Sequence, residues 1–169
     1  MILGLSFENF TLLHVIISLI GILSGIIVLF GLLGGTSSPA LTALFLATTV
    51  LTSVTGFLFP FTTLLPSHIV GIISLVVLAA AIAALYVFHL GGAWRWIYVM
   101  GAVISLYLNV FVGVVQAFQK LPFLQPLAPT QSEPPFIVAQ TAILLIFVVL
   151  GFLAVRRFHP NSFGGGLPA

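Results

Sequence analysis

Histidine and carboxamide side chains are the residues of this sequence that could hold a ligand. His14, His68, Gln116 and Gln140 each fall near one end of an apolar segment, and all four fall toward the same side. Imidazole ligates haem iron and other metal ions, and imidazole and carboxamide groups can hydrogen-bond the carbonyls of a quinone. The sequence therefore predicts an outer-leaflet pocket for a b-type haem, a metal ion or a quinone-like molecule, with His14 and His68 as the candidate metal ligands. Asn109 is the fifth candidate ligand-binding residue.

A structural role for these histidines is the competing interpretation. No spacing within one helix brings two of them together, so each could instead hydrogen-bond a neighbouring helix or reach interfacial water. His89 and His159 fall toward the opposite side, beside glycine or proline, and are less suited to a second site.

Residues that would support catalysis are sparse. The sequence has no cysteine, which excludes thiolate metal sites and cysteine nucleophiles. Ser24 lies in a stretch that loosely resembles a serine-nucleophile motif. His14, about 15 Å away along the same helix, cannot act as its base. No carboxylate falls within an apolar segment, which disfavours a proton-coupled transporter.

The composition of the chain indicates the environment in which its secondary structure must position these side chains. Of 169 residues, 61% are hydrophobic and 4% are charged, and the mean hydropathy is +1.36. A soluble domain carries about 25% charged residues, so a soluble or a disordered chain is excluded. A net charge of +2 is too small for a nucleic-acid partner. The partner that remains is the lipid bilayer.

Five apolar segments are long enough to cross a bilayer as helices. They span residues 10–33, 41–59, 68–90, 94–119 and 136–155. The sequence thus predicts an all-α, polytopic transmembrane bundle forming a single membrane domain. The proline-rich segment 120–135 is predicted to be a loop on the outer side, and 160–169 a mobile tail.

The basic residues predict the orientation of this bundle. Arg95, Arg156 and Arg157 fall on the side of the carboxyl terminus, whereas Lys120 is the basic residue of the opposite side. Because basic residues favour the cytoplasmic side, we expect the amino terminus outside and the carboxyl terminus in the cytoplasm.

Small and polar residues form stripes at helical spacing on three of the segments. They are His14, Ser18, Gly21 and Gly25 on the first, Thr42, Thr49, Ser53 and Gly56 on the second, and Gly101, Ser105, Asn109 and Gly113, with Gln116 on the same side, on the fourth. Such stripes allow close helix packing in membranes. We therefore expect these faces, and the polar side chains on them, to point into the bundle.

Three stretches carry a resemblance to known proteins. They are LLPSHIVG at 64–71, AWRWIY at 93–98 and LAPTQSEPPF at 127–136. In these, and over most of the chain to Arg157, the sequence resembles a group of small, uncharacterised polytopic membrane proteins, chiefly of proteobacteria. The resemblance implies a multi-pass protein of the bacterial inner (cytoplasmic) membrane, and it implies no activity or cofactor.

These observations favour a non-catalytic function. We expect an accessory or structural subunit that packs with itself or with another membrane protein. The alternative is a binding or redox module that uses the outer pocket. A third, weaker interpretation is a small oligomeric transporter or channel, with Asn109 lining the path.

Overall fold

The computed structural model describes residues 2–60 and 66–160, and within these ranges the chain is helical, without a β-strand. The helices are α1 (Phe7–Leu33), α2 (Pro39–Gly56), α3 (Pro66–Ile82), α4 (Trp94–Lys120) and α5 (Pro134–Arg157). A π-helical turn, Ala83–Val87, extends α3. All five segments are long and apolar enough to cross a membrane. The predicted five-helix membrane bundle is confirmed.

Several helix ends differ from the predicted spans. α1 begins at Phe7, because Ser6 caps it by accepting a hydrogen bond from the Asn9 amide. α2 ends at Gly56, three residues before its predicted end, where the chain tightens into a turn. α5 runs from Pro134, a residue type suited to a first helical position, to Arg157.

The predicted third span, 68–90, differs most. After the π turn the chain reverses at His89 and Leu90, which both adopt positive φ, and the Leu90 amide bonds the Ala84 carbonyl. This bond to a carbonyl six residues earlier, rather than the glycine pair that follows, ends the helix. The mobile tail was predicted for 160–169, of which 161–169 lie outside the described residues.

α4 is the central helix of the bundle. It contacts each of the other four helices. In its most apolar stretch of 18 residues, 39% of the residues are buried, against 11% in the corresponding stretch of α5. Close packing on α3 depends on Gly101, where a Cβ atom would lie 2.8 Å from that of Ala81. α5 therefore exposes most of its surface, and that surface is apolar.

The antiparallel helices give the bundle two chemically different ends. We call the end with the start of α1 and the segment 121–133 the loop end, and the end with Arg95, Arg156 and Arg157 the arginine end. Which end faces the cytoplasm stays a prediction.

Arg95 joins two helices at the arginine end. From the first turn of α4, its Nη1 donates to the carbonyl oxygens of Val155 at 2.8 Å and Phe158 at 2.6 Å. Carbonyls at a helix carboxyl end lack helical partners, so Arg95 caps α5 with charge-assisted hydrogen bonds.

Candidate functional site

His14 is hydrogen-bonded across the α1–α2 interface. Its half-buried ring places Nδ1 2.7 Å from the hydroxyl oxygen of Thr55. The same hydroxyl lies 2.6 Å from the Leu51 carbonyl oxygen, one turn earlier in α2. A hydroxyl has one proton to donate. Because Thr55 donates it to a backbone carbonyl, His14 must donate from Nδ1 to Thr55. Its Nε2 is then the unprotonated nitrogen, which can accept a hydrogen bond or ligate a metal.

Phenylalanine rings surround one side of this imidazole. The ring of Phe59 lies edge-on to that of His14, with centroids 5.2 Å apart. Phe59 also meets Phe10 at 5.0 Å and Phe7 at 5.9 Å, and Phe10 is almost fully buried. The imidazole is thus fixed by one hydrogen bond and by apolar packing.

Asn109 joins the same interface deeper in the bundle. Its Nδ2 donates to the hydroxyl oxygen of Thr49 at 3.4 Å, and Thr49 is fully buried. The opposing surface of α1 is Gly21, where a Cβ atom would lie 3.2 Å from Thr48 Oγ1 and 3.3 Å from Asn109 Nδ2. Glycine at this position lets polar atoms of α2 and α4 approach the backbone of α1.

The hydroxyl groups of this interface present oxygen lone pairs. Thr48, Thr49, Thr55 and Ser18 each donate their proton to a backbone carbonyl one turn earlier in their own helix. The oxygens of Thr55 and Thr49 already accept hydrogen bonds from His14 and Asn109, so the lone pairs that remain available are mainly those of Thr48 and Ser18. Together with Nε2 of His14, the interface is chemically suited to bind a hydrogen-bond donor.

The polar interface is closed on the side of the arginine end. One turn beyond Gly21, Gly25 packs against the side chains of Phe45 and Leu106, which a Cβ atom would approach to 2.7 Å. Val28, Leu29 and neighbouring apolar residues continue the packing, and the space between them is too small for a water molecule. The polar side chains between α1, α2 and α4 thus end against an apolar layer.

His68 lies in the first turn of α3 and is buried. Its ring packs on that of Phe57, with centroids 5.7 Å apart, just past the end of α2. Among the described residues, the ring of Phe57 contacts His68 and the ring of Phe59 contacts His14.

Gln140 binds the backbone of α4. Its Nε2 donates to the Phe111 carbonyl at 3.1 Å, while its buried Oε1 has no hydrogen-bond partner among the described residues. The amide orientation follows from this contact, because a flip would place two acceptors against each other. Gln116 is half-buried on α4, nearer the loop end.

The other predicted packing residues occupy different interfaces. Gly101 faces α3, as described above, and Gly113 is in ordinary contact with Ile22, 3.6 Å from the position of a Cβ atom. Ser105 is fully buried, and within the described part of the chain its hydroxyl has no hydrogen-bond partner. Nothing in the structure explains this unpaired group.

The predicted outer loop folds back onto α4. Gln131, at positive φ, donates from Nε2 to the Val115 carbonyl at 3.0 Å. The Glu133 carboxylate accepts hydrogen bonds from the Thr130 amide and hydroxyl and from the Ser132 amide. Partial desolvation opposes ionisation of Glu133, but the hydrogen bonds outweigh it and lower the pKa of this carboxyl below its ordinary value.

Three of the five predicted ligand-binding residues make hydrogen bonds at different places. His14 is bonded to Thr55, Asn109 to Thr49, and Gln140 to the Phe111 carbonyl. Among residues 2–60 and 66–160, no group of three or more potential metal ligands is found. The structure describes separate helix–helix contacts at these residues.

Sequence reasoning missed the partners of His14 and Asn109. It placed Thr49 on a polar face of α2 but overlooked Thr48 and Thr55, which face α1. The signal was available in the short turn between Leu33 and Pro39, because a tight antiparallel hairpin sets which residues of the two helices lie opposite each other.

No protein-family model, curated protein or solved structure matches this chain. Its function must therefore be argued from its own residues.

Proposed function

We propose that this chain is a non-catalytic accessory or structural subunit of the bacterial inner membrane, self-associated or bound to another membrane protein. The observation that supports this most is the pairing of two of its interior polar side chains, His14 and Asn109, with hydroxyl groups of α2. His14 with Thr55, and Asn109 with Thr49, satisfy one another across helices. A catalytic centre instead needs reactive groups that converge on a space for substrate.

The surface of α5 supports self-association as the first form of this proposal. Of the five apolar helices, α5 has the smallest fraction of buried residues. Its side chains at 138, 145, 149 and 152 form one exposed apolar face. Lipid can cover such a face, and so can the same face of a second copy, as expected for a symmetric dimer.

The absence of cysteine from the sequence allows a direct test. Leu145→Cys places a thiol at the centre of α5, and Leu23→Cys places a matched thiol on α1, because the two leucines are 60% and 62% exposed. After mild oxidation in native membranes, the α5 variant should form disulfide-linked dimers and the α1 variant should not.

The mass of the unmodified protein tests the wider proposal. Isolated from native membranes in a mild detergent, the chain should run as a dimer or with a second protein. A lone 18 kDa species, together with equal cross-linking of both cysteine variants, would contradict the accessory role.

A ligand-binding function at His14 is the second candidate. The observation in its favour is the contact of His14 Nδ1 with Thr55: ligating histidines commonly donate their other ring N–H to a neighbouring acceptor, and Thr55 can supply that acceptor. A haem or metal would bind through Nε2, and a quinol would donate a hydroxyl proton to it. The apolar rings of Phe10 and Phe59 suit a hydrophobic ligand.

Absorption spectra separate the two candidates. The purified protein is compared in its oxidised and dithionite-reduced states, and again after titration with haem. If the second candidate is correct, a Soret band that sharpens on reduction should be lost in His14→Ala and retained in His89→Ala, at the opposite end. Mass spectrometry of an organic extract tests for a quinone. A featureless spectrum and an extract without a quinone would contradict the ligand-binding function and favour the accessory role.

The proposal also includes the orientation of the protein in the inner membrane, with the arginine end in the cytoplasm. Single cysteines at Ser132, in the loop, and at Gly91, near the arginine end, can be labelled with an impermeant maleimide in intact spheroplasts. We expect labelling at 132 only, because the arginines favour the cytoplasmic side. Labelling at 91 only would reverse the orientation.

A further inference from the structure

Among the residues that the structure describes, two arginines at the arginine end have no partner carboxylate. Arg156 and Arg157 lie in the last turn of α5, and both are exposed. The only acidic side chains of the sequence are Glu8 and Glu133, which belong to the loop end. Within residues 2–60 and 66–160, no carboxylate therefore lies at this end to balance the charge of the two guanidinium groups.

The third arginine of this end already has a structural role. Arg95 donates to the carbonyls of Val155 and Phe158, on either side of the exposed pair. Phe158 is buried against the ring of Tyr98. The end of α5 is thus fastened to α4 at two points, and the backbone that carries Arg156 and Arg157 is fixed.

The depth of these side chains suits a lipid headgroup. The Arg156 guanidinium lies 5.4 Å from the centroid of the Phe152 ring, whose face is exposed on the apolar surface of α5. An arginine that rests on an apolar ring while its charged group reaches outward occupies the boundary between hydrocarbon and headgroups. Trp96 and Tyr86, also exposed near this end, are residue types of the same boundary.

We infer that Arg156 and Arg157 form a binding site for the phosphate of an anionic glycerophospholipid. Guanidinium groups match phosphate oxygens with paired hydrogen bonds, and the surface of an anionic leaflet supplies the missing negative charge. Arg95 is a positioning residue for this site, because it holds the end of α5. The inference does not depend on the accessory role proposed above.

Native mass spectrometry of the full chain tests the site. The protein is exchanged into nanodiscs holding equal amounts of phosphatidylglycerol, cardiolipin and phosphatidylcholine, and the lipids retained on ejection are counted. The wild-type protein should retain the two anionic lipids in preference to phosphatidylcholine. Each arginine changed to glutamine should lower that preference about fivefold, equivalent to about 1 kcal/mol. The Arg156→Gln/Arg157→Gln variant should keep the wild-type unfolding temperature, since both side chains are exposed.

Lys120→Gln is the matched control, because it removes an exposed basic side chain from the loop end. It should leave the lipid preference unchanged. An Arg95→Gln variant should weaken the preference although both binding arginines are present. Equal retention of anionic and zwitterionic lipids by the wild type would overturn the inference. An acidic protein partner would then be the alternative ligand of Arg156 and Arg157. Undiminished preference in the double variant would overturn it as well.

Discussion

The interface between α1, α2 and α4 has two halves that are held together differently. Toward the loop end, His14, Thr55, Thr49 and Asn109 meet through hydrogen bonds of defined direction. Toward the arginine end, Gly25 receives apolar side chains of α2 and α4 so closely that no atom could be added.

This difference separates two kinds of specificity in one helix interface. Hydrogen bonds between membrane helices are worth little each, about 0.6 kcal/mol on average, but they select a register. Close packing around a glycine is costly to disturb, since a packed interior does not yield easily. The apolar half should therefore supply stability, and the polar half should determine which residues face each other.

The largest expected effect is steric and falls in the apolar half. Gly25→Ala places a Cβ atom 2.7 Å from Phe45 and Leu106, whose side chains are buried and cannot withdraw. We expect a loss of about 1–3 kcal/mol of unfolding free energy, measured by titration with SDS in mixed micelles.

Gly113→Ala is the control for this substitution. Its Cβ atom would make an ordinary 3.6 Å contact, and alanine favours the helix by up to about 1 kcal/mol. Its stability should stay the same or rise. Equal losses in the two variants would contradict the steric distinction.

The next largest effect concerns the bond between His14 and Thr55. In a double-mutant cycle of His14→Leu and Thr55→Val, we expect a coupling of about 1 kcal/mol, because the contact is short and has few competitors in lipid. Nitrogen chemical shifts of the His14 ring should show the proton on Nδ1. A proton on Nε2 would contradict the assigned tautomer.

A smaller coupling is expected between Asn109 and Thr49. Their contact is longer, 3.4 Å, so the cycle of Asn109→Leu and Thr49→Val should yield about 0.5 kcal/mol. A coupling larger than that of His14 with Thr55 would reverse the ranking within the polar half.

The smallest effect is a pH dependence at the loop end. The pKa of Glu133 is lowered, so its ionised form stabilises the turn with Thr130 and Ser132. That contribution should be complete above the ordinary glutamate pKa of about 4.3 and should disappear as the pH falls through the lowered value. Melting temperatures of the wild type and Glu133→Gln should differ slightly at pH 6 and converge in acid. A difference that grows in acid would have the wrong sign.

The number of helices was predictable from sequence because lipid leaves the backbone few alternatives. The limits of the third span were not, since the segment to Leu90 is mostly apolar and nothing in it signals a π turn or positive φ at His89 and Leu90. In this region, hydrogen bonds of the backbone decide the end of the helix rather than residue type.

For the candidate site, the sequence predicts only which face of its own helix each residue lies on. Helical spacing places His14 and Gly21 on one face of α1, and Asn109 on the inner face of α4, but it does not say which residues lie opposite. That pairing depends on how α1, α2 and α4 are rotated about their axes. The rotation is fixed by contacts such as Gly25 with Leu106, which are far apart in sequence.

The capping of α5 by Arg95 has a consequence for biogenesis. Helices enter a membrane in the order in which they are synthesised, and α1–α4 can assemble around α4 before α5 is complete. The carbonyls of Val155 and Phe158 reach Arg95 only when translation has passed that point. Until then the Arg95 guanidinium lacks these two acceptors, so the hydrogen bonds that fasten α5 to α4 form only after Phe158 has been added to the chain.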